Sequence, residues 1–268
     1  MGDEAQALRQ AAGRTAALLR NVPDPAAMVP GLAWSAAETA AHLLGELREY
    51  TDLVTGKAES PAGPSPQDGQ LTPAQRGAHA NARQLEQITE RDLPRLADLI
   101  TTQTDAFIRG SAERAAGDRF VPPNGLAMTV PVMTAALLGE QLVHGLDIAR
   151  AARARWAISR EDALTVIGGV MALLPDYVDR QLAAGKNITY ELRFRGGPRY
   201  WIRIDDGTAA LAGPDQRADC WISADPVAFL LVGYGRSGQW GQILRGKLLA
   251  GGRAPWLGLS FGKLIIGP

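Results

Sequence analysis

One helix start organises the first half of the chain, and it lies in residues 34–43, which run Trp34-Ser35-Ala36-Ala37-Glu38-Thr39-Ala40-Ala41-His42-Leu43. Ser35 is a good helix N-cap, and Glu38 three residues later completes a capping box, in which each side chain accepts a hydrogen bond from the other residue's backbone. The helix that begins here carries His42 on the same flank as several leucines. We therefore expect this histidine to lie in an apolar core, where an unpaired imidazole is costly.

A second helix supplies groups that can pair with His42. Glu140 and His144 are four residues apart in a stretch predicted to be helical over about 131–152, so both side chains project from one face. Two imidazoles and a carboxylate from facing helices can hold a divalent metal and leave one coordination position open. Zn²⁺ suits this donor set, and Fe(II), Ni²⁺ and Co²⁺ remain alternatives. The other interpretation, which spacing alone favours, is that both histidines are simply packed in the core.

Two further residues bear on this site. Asp147 lies three residues past His144 and could accept the second imidazole N–H as an outer partner. The alternative for Asp147 is a surface ion pair with Arg150. His79 opens a polar stretch and is interpreted as solvated or capping, with a role as a fourth metal ligand as the alternative.

Helical periodicity extends through the rest of the first half. An apolar stripe over 8–22 indicates a first helix, and in-phase residues over 78–108 indicate a third, which Pro94 kinks or restarts behind Asp92. Four long helices joined by one long crossing predict a four-helix bundle. The crossing is the loop 57–75, rich in proline and glycine, and we expect it to border the mouth of the metal site.

The hydrophobic period changes near residue 186. Residues 188–194 alternate between apolar and polar, which predicts a half-buried strand, and Gly196-Gly197 and Asp206-Gly207 are typical of hairpin turns. Strands followed by short helices, together with a helix over 160–184, predict a small α+β domain. The fold class predicted for the whole chain is therefore α+β in two domains, a helical bundle in residues 1–157 and a small α+β domain in residues 158–268.

Some conspicuous residues of the second half have two interpretations. The arginines of the predicted hairpin form the solvated side of a sheet or a clamp for a carboxylate substrate: Arg193, Arg195, Arg199 and Arg203. Cys220 alternates with Trp221 in a predicted strand, so it is assigned to the core rather than to a nucleophile.

The composition argues against several function classes. The chain has 28 basic and 28 acidic residues, and this balance disfavours nucleic acid or an anionic membrane as the main partner. A single cysteine allows neither an intramolecular disulfide nor a cysteine-rich zinc site, and it fits a reducing cytoplasm. The best apolar run, 166–174, is too short to span a bilayer, and the acidic start of the chain does not resemble a signal peptide.

The two histidine-bearing segments resemble those of the DinB-like, mycothiol-dependent maleylpyruvate isomerase family. That family has a Trp or a Thr-rich helix cap followed by Glu and Ala-His-Leu, as in Trp34 to Leu43, and then Glu-x-x-Val-His-Gly-x-Asp, as in Glu140 to Asp147. The C-terminal half resembles a sterol-carrier-like domain in two runs, Ala218-Asp219-Cys220-Trp221-Ile222-Ser223-Ala224-Asp225-Pro226 and Ile243-Leu244-Arg245-Gly246-Lys247. The resemblance therefore covers nearly the whole chain.

The resemblance implies a metal and a cofactor. It assigns the metal ligands to His42, Glu140 and His144, with Zn²⁺ as the metal and the low-molecular-weight thiol mycothiol as the cofactor. A thiol at an open metal position loses its proton and becomes a nucleophile at neutral pH. The family's substrate-binding arginines lie in poorly patterned regions, and the candidates for a catalytic role in this chain are Arg76, Arg83 and Arg236.

The expected function is a cytoplasmic, actinobacterial enzyme in which mycothiol adds to an electrophilic small molecule. It would act as an S-transferase in specialised metabolism or detoxification, or as a maleylpyruvate-type isomerase, and would be a monomer or a homodimer. One alternative is a regulatory metalloprotein without turnover. Another is a non-catalytic binder of an apolar ligand in the C-terminal domain, with apolar surface from Trp221, Phe229, Leu230 and Leu231.

Overall fold

The fold was obtained as a computed structural model, which describes residues 2–58, 71 and 73–265. It consists of two compact units, Met1–Ile158 and Ser159–Pro268. The first is helical and the second contains a five-stranded sheet, so the predicted α+β class is confirmed. In the described part of the chain, every helix is too short or too polar to cross a membrane.

The N-terminal unit is built from helices with one small hairpin. The helices are α1 (Gly2–Leu19), α2 (Ala36–Thr55), α3 (Pro73–Gln87), α4 (Leu93–Ala112) and α5 (Val130–Ala151), and the two-stranded hairpin is β1 (Arg119–Phe120) with β2 (Met128–Thr129). Helices α1 and α2 each pack against both α4 and α5, which gives the predicted four-helix arrangement. Helix α3 packs against α2.

Local sequence signals set the ends of these helices. The capping box at the start of α2 is present, because the Ser35 side chain accepts from the Glu38 backbone N–H and the Glu38 carboxylate accepts from the Ser35 N–H. The stretch 78–108 is two helices rather than one, since Asp92 caps α4 and Pro94 lies in its first turn. The restart behind Asp92 is thereby confirmed. Most of the loop 57–75 lies outside the described residues, so its predicted position beside the metal site stays a prediction.

The C-terminal unit begins with helices and continues into the sheet. The elements are α6 (Arg160–Leu173), a 3₁₀ helix (Leu174–Tyr177), α7 (Arg180–Ala183), β3 (Asn187–Phe194), β4 (Arg199–Asp205), β5 (Thr208–Ala212), β6 (Cys220–Ala224), α8 (Pro226–Gly233), α9 (Gln239–Leu244), β7 (Leu248–Gly252), a 3₁₀ helix (Pro255–Leu259) and α10 (Phe261–Leu264). The single helix predicted over 160–184 is wrong, because the chain tightens into the 3₁₀ turn around Pro175.

The sheet has the order β5-β4-β3-β6-β7 and is antiparallel except for the β3–β6 pair. Strand β3 is therefore central, and residues of both its faces are buried, so the half-buried prediction was wrong. The buried carboxylate of Glu191 accepts hydrogen bonds from Arg193 at 2.6 Å and Arg199 at 3.3 Å. Arg193 also lies 4.9 Å over the ring of Trp221. These two arginines thus bind a carboxylate of the protein itself.

Candidate metal centre

Three side chains from two helices of the bundle converge on one point. His42 lies on α2, and Glu140 and His144 lie one turn apart on α5. The Nε2 atom of His42 is 3.3 Å from Oε2 of Glu140, and the Nε2 atom of His144 is 3.1 Å from the same oxygen. The predicted set is therefore brought together, with one possible ligand atom of each residue within 4.8 Å of the others.

The other nitrogen of each imidazole is held by a partner that fixes the ring. Nδ1 of His42 is 2.7 Å from Oε1 of Gln84, and Nδ1 of His144 is 3.1 Å from Oδ2 of Asp147. Each Nδ1–H can donate to these oxygens, and each Nε2 faces Oε2 of Glu140, to which it donates when it is protonated. A cation bound at the common point would take the place of that proton. Asp147 therefore lies where an outer partner of His144 is expected. Because its side chain is only 1% exposed, the surface ion pair with Arg150 does not describe it.

Gln84 is a residue of this centre that the sequence did not reveal. It belongs to α3, is buried, and donates from Nε2 to the Glu49 carboxylate on α2 at 2.6 Å. A Cβ atom added at Gly45 would lie 2.8 Å from Cβ of Gln84, so the glycine allows α3 to approach α2 closely at this point. Gln84 thus connects Glu49 to His42.

Hydrogen bonds within the centre shift the pKa values of Glu140 and His144 in opposite directions. Burial acts to raise the pKa of Glu140, but hydrogen bonds from His144 and His42 outweigh it and hold that pKa well below its usual range. Burial acts to lower the pKa of His144, and the hydrogen bonds to Asp147 and Glu140 instead raise it. Glu140 is therefore a carboxylate at neutral pH, as a metal ligand must be.

Two more acidic residues follow His42 on the same side of α2. Burial, and then the negative charges of Glu140 and Glu49, raise the pKa of Glu46 well above its usual value. Burial likewise raises the pKa of Glu49 to about 6. Oε2 of Glu46 is buried and lacks a hydrogen-bond partner among the described residues. Such a concentration of buried acid favours a cation at its centre.

An aromatic ring covers the two imidazoles. The ring of Trp34, directly before the helix cap, lies 5.1 Å from the His42 ring and 6.2 Å from the His144 ring, measured between centroids. The two imidazoles meet edge to face at 4.9 Å. Trp34 therefore shields the imidazoles from water on one side, which strengthens electrostatic interactions within the site.

The spacing of the donor atoms fits a small divalent ion. In a tetrahedral zinc site with bonds of about 2.0–2.1 Å, neighbouring ligand atoms lie about 3.3 Å apart. The two distances to Glu140 Oε2, 3.3 Å and 3.1 Å, are close to that edge length and also lie within hydrogen-bond range, and all three ligand atoms lie within 4.8 Å of one another. Two neutral imidazoles and one carboxylate also form a set that leaves a position for a further ligand.

The remaining candidates are not among the three converging residues. His79 is exposed on α3, in keeping with a solvated residue, and is not part of the three-residue cluster. Arg83 is exposed on α3 and acts to lower the pKa of Glu49. Arg76 donates to the backbone carbonyls of Leu71 and Asn124. Arg236 belongs to the C-terminal unit and donates to a backbone carbonyl there.

Cys220 is buried in the core of the C-terminal unit, as predicted. Burial raises the pKa of its thiol, which lowers the fraction of thiolate at neutral pH. Its environment is therefore that of a packing residue rather than a nucleophile.

Comparisons with known proteins agree with the architecture. A family model described as the mycothiol maleylpyruvate isomerase N-terminal domain matches residues 8–149. The crystal structure of the mycothiol-dependent maleylpyruvate isomerase aligns at 12% identity with a TM-score of 0.55, covering 93% of this chain and 92% of that one. A His-to-Ala mutant of that enzyme aligns at 11% identity with a TM-score of 0.54 and the same coverage. No curated protein matches the chain.

Proposed function

The chain belongs to the mycothiol maleylpyruvate isomerase N-terminal domain family, and from this premise we propose that it is a metal-dependent enzyme that uses the thiol mycothiol. The ligands of the metal are His42, Glu140 and His144, and Zn²⁺ is the ion that this donor set suits best. The reaction is either transfer of the thiol to an electrophilic small molecule or isomerisation of a maleylpyruvate-type substrate.

One observation carries this proposal: both imidazoles direct Nε2 toward the same carboxylate oxygen while their Nδ1 atoms are held by separate partners. Two rings that aim at one point, each held at its other nitrogen by a separate oxygen, are typical of a metal site. A divalent metal held there would lower the pKa of a thiol that coordinates it at the open position.

Residues around the metal ligands orient the imidazoles and limit the access of water. Gln84 and Asp147 orient the imidazoles, and Trp34 limits water on one side of the site. Cys220 has no step, because the nucleophilic sulfur belongs to the cofactor.

Metal content tests the ligand assignment. Purified wild-type protein should contain one equivalent of divalent metal by elemental analysis, and His144→Ala should contain less than a tenth of that. His79→Ala is the matched control, since this exposed histidine on α3 lies outside the cluster and should keep full metal content. Equal metal in wild type and His144→Ala, with both folded by circular dichroism, contradicts the assignment.

The fate of the thiol separates the two reactions. An S-transferase consumes one mycothiol per product and leaves a thioether, whereas an isomerase returns the thiol unchanged. Native mass spectrometry of freshly purified protein should reveal a retained thiol or its conjugate. Incubation with maleylpyruvate and mycothiol should be followed both for isomerisation of the substrate and for loss of free thiol. If mycothiol neither binds the metal-loaded protein nor changes its metal spectrum in a Co²⁺-substituted sample, the thiol proposal is wrong.

A second candidate function is supported by a cavity in the C-terminal unit. This cavity has a volume of about 670 Å³ and a mainly apolar lining that includes Met171, Leu174, Ile222, Phe229 and Phe261. The volume lies within the range of small-molecule sites. Of the residues proposed from sequence to supply apolar surface, only Phe229 lines the cavity. Binding of an apolar ligand without turnover would appear as a metal-independent adduct in the same mass spectra.

A further inference from the structure

The end of the chain has a charge distribution unlike that of the whole. Residues 226–268 contain five basic residues and no acidic residue, although the full chain has 28 of each sign. The formal charge of this segment is therefore +5, from Arg236, Arg245, Lys247, Arg253 and Lys263. All 28 acidic residues therefore lie before residue 226, although the net charge of the whole chain is zero.

The same segment exposes large apolar side chains. Trp240 is 61% exposed, Trp256 is 67% exposed and Leu244 is 88% exposed. Leu249 and Leu259 are also more than a third exposed, at 47% and 40%. A single exposed leucine is ordinary, but two tryptophans and three leucines within 20 residues need an explanation. We call Trp240, Leu244, Leu249, Trp256 and Leu259 the apolar rim.

Two residues of the apolar rim, Leu249 and Leu259, line the cavity in the C-terminal unit. Helix α9, strand β7 and the 3₁₀ helix 255–259 each contribute to the cavity lining, through Ile243, Leu249 and Leu259 respectively. Both α9 and this 3₁₀ helix pack against β7, which is an edge strand of the sheet. Since Leu249 and Leu259 are at once exposed and part of the lining, the cavity opens among the residues of the rim.

Basic residues accompany the rim. Lys263 lines the cavity, Arg245 follows the most exposed leucine of the rim, and Lys247 precedes β7. Arg253 binds the carboxylate of Asp219, so its charge is compensated within the protein. Exposed tryptophans with nearby lysines and arginines are the side chains that settle at the level of lipid headgroups.

We propose that the apolar rim docks on a lipid bilayer that carries anionic headgroups. The tryptophans and leucines enter the interface, the cations contact the headgroups, and the mouth of the apolar cavity faces the bilayer. Charge complementarity selects this partner, because an acid-free segment that carries Arg245, Lys247 and Lys263 gains little from a neutral surface and repels a second copy of itself. The docking does not depend on the metal chemistry of the N-terminal unit.

Vesicle flotation of the full-length protein tests this docking. The protein should float with vesicles of phosphatidylcholine and phosphatidylglycerol, should remain below with vesicles of phosphatidylcholine alone, and should be released by high salt. Trp240→Ala/Trp256→Ala should lower the partition coefficient by about tenfold or more, because both interfacial rings are lost. Lys247→Gln/Lys263→Gln should lower it by about fivefold for each charge removed.

A matched control separates the rim from general surface hydrophobicity. Leu182→Ala/Leu211→Ala changes two exposed leucines outside the segment, one of them on β5 at the opposite edge of the sheet, and should leave flotation unchanged. All variants alter exposed side chains, and thermal melting checks that each is folded. Absence of flotation with anionic vesicles overturns the proposal, as does equal binding to neutral ones. A concentration-dependent dimer that Trp240→Ala/Trp256→Ala dissociates would assign the rim to a second copy of the chain and would also overturn it.

Discussion

Replacing Gln84 by leucine tests whether the imidazole orientation serves metal binding. In the structure, Oε1 of Gln84 is 2.7 Å from Nδ1 of His42, and its Nε2 is 2.6 Å from the Glu49 carboxylate. Leucine fills a similar volume but provides neither group. The His42 ring then loses the partner that fixes its tautomer, and Glu49 loses its hydrogen-bond donor.

The expected magnitude follows from the role of such outer partners. Loss of a hydrogen bond to a metal-bound imidazole costs about 10- to 100-fold in metal affinity, which corresponds to about 1.4 to 2.7 kcal/mol. Gln84→Glu retains an acceptor for Nδ1 of His42, so its zinc affinity should stay closer to that of wild type than the affinity of Gln84→Leu. Neither variant removes a ligand, and both should still bind one equivalent at saturating zinc.

The assay is competition for zinc between the metal-free protein and a chromophoric chelator. Gln87→Leu is the control, because it makes the same change at an exposed position three residues later on α3. Its zinc affinity should equal that of wild type. A Gln84→Leu protein that folds, binds one zinc and shows an affinity within twofold of wild type would refute the orienting role.

Three more outcomes are expected. Gly145→Ala should lower the free energy of unfolding in urea by about 1–3 kcal/mol, because the Cβ atom of the new alanine would lie 2.1 Å from the Trp156 ring. Gly13→Ala is the control: position 13 has open space around it, so this change should stabilise α1 by up to about 1 kcal/mol. Cys220→Ser should lose stability through a buried hydroxyl while its metal content and thiol binding per folded molecule match wild type, and loss of thiol binding in a folded sample would contradict this. Burial raises the pKa of Glu49 from 4.5 in the unfolded chain to about 6 in the folded protein, so the unfolded state releases this proton first and the free energy of unfolding falls as pH rises from 4.5 to 6. In metal-free protein this fall should be about 2 kcal/mol, and Glu49→Gln should abolish it. An unchanged pH profile in Glu49→Gln would disprove the assignment.

The sequence predicted best what depends on neighbours along the chain. The capping box of α2, the restart of α4 behind Asp92 and the shared face of Glu140 and His144 all follow from spacings of three or four residues. Glu46 and Glu49 follow His42 by four and seven residues, so helical periodicity places both carboxylates on the same face of α2 as His42. The sequence therefore contains a signal for these two acids.

Other features depend on contacts that no local pattern contains. Gln84 meets His42 across 42 residues, and nothing in the polar sequence of α3 distinguishes it from Gln87. Strand β3 is central because β6 pairs with it in parallel from more than 20 residues away, and alternation alone could not reveal that neighbour. The opening of the cavity beside Leu249 and Leu259 likewise arises from segments that meet only in the folded unit.

The two interpretations of the histidines make different demands on their surroundings. Packed core histidines need only hydrogen-bond partners, and Gln84 and Asp147 satisfy one nitrogen of each ring. They do not explain the buried Oε2 atom of Glu46, which lacks a hydrogen-bond partner among the described residues, an arrangement that costs about 1–3 kcal/mol. A divalent cation between the rings would offset the charge of Glu140, would lower the raised pKa of Glu46, and would replace the protons on the Nε2 atoms that face Glu140. The metal interpretation therefore accounts for the acids and the imidazoles together, and the core interpretation accounts only for the imidazoles.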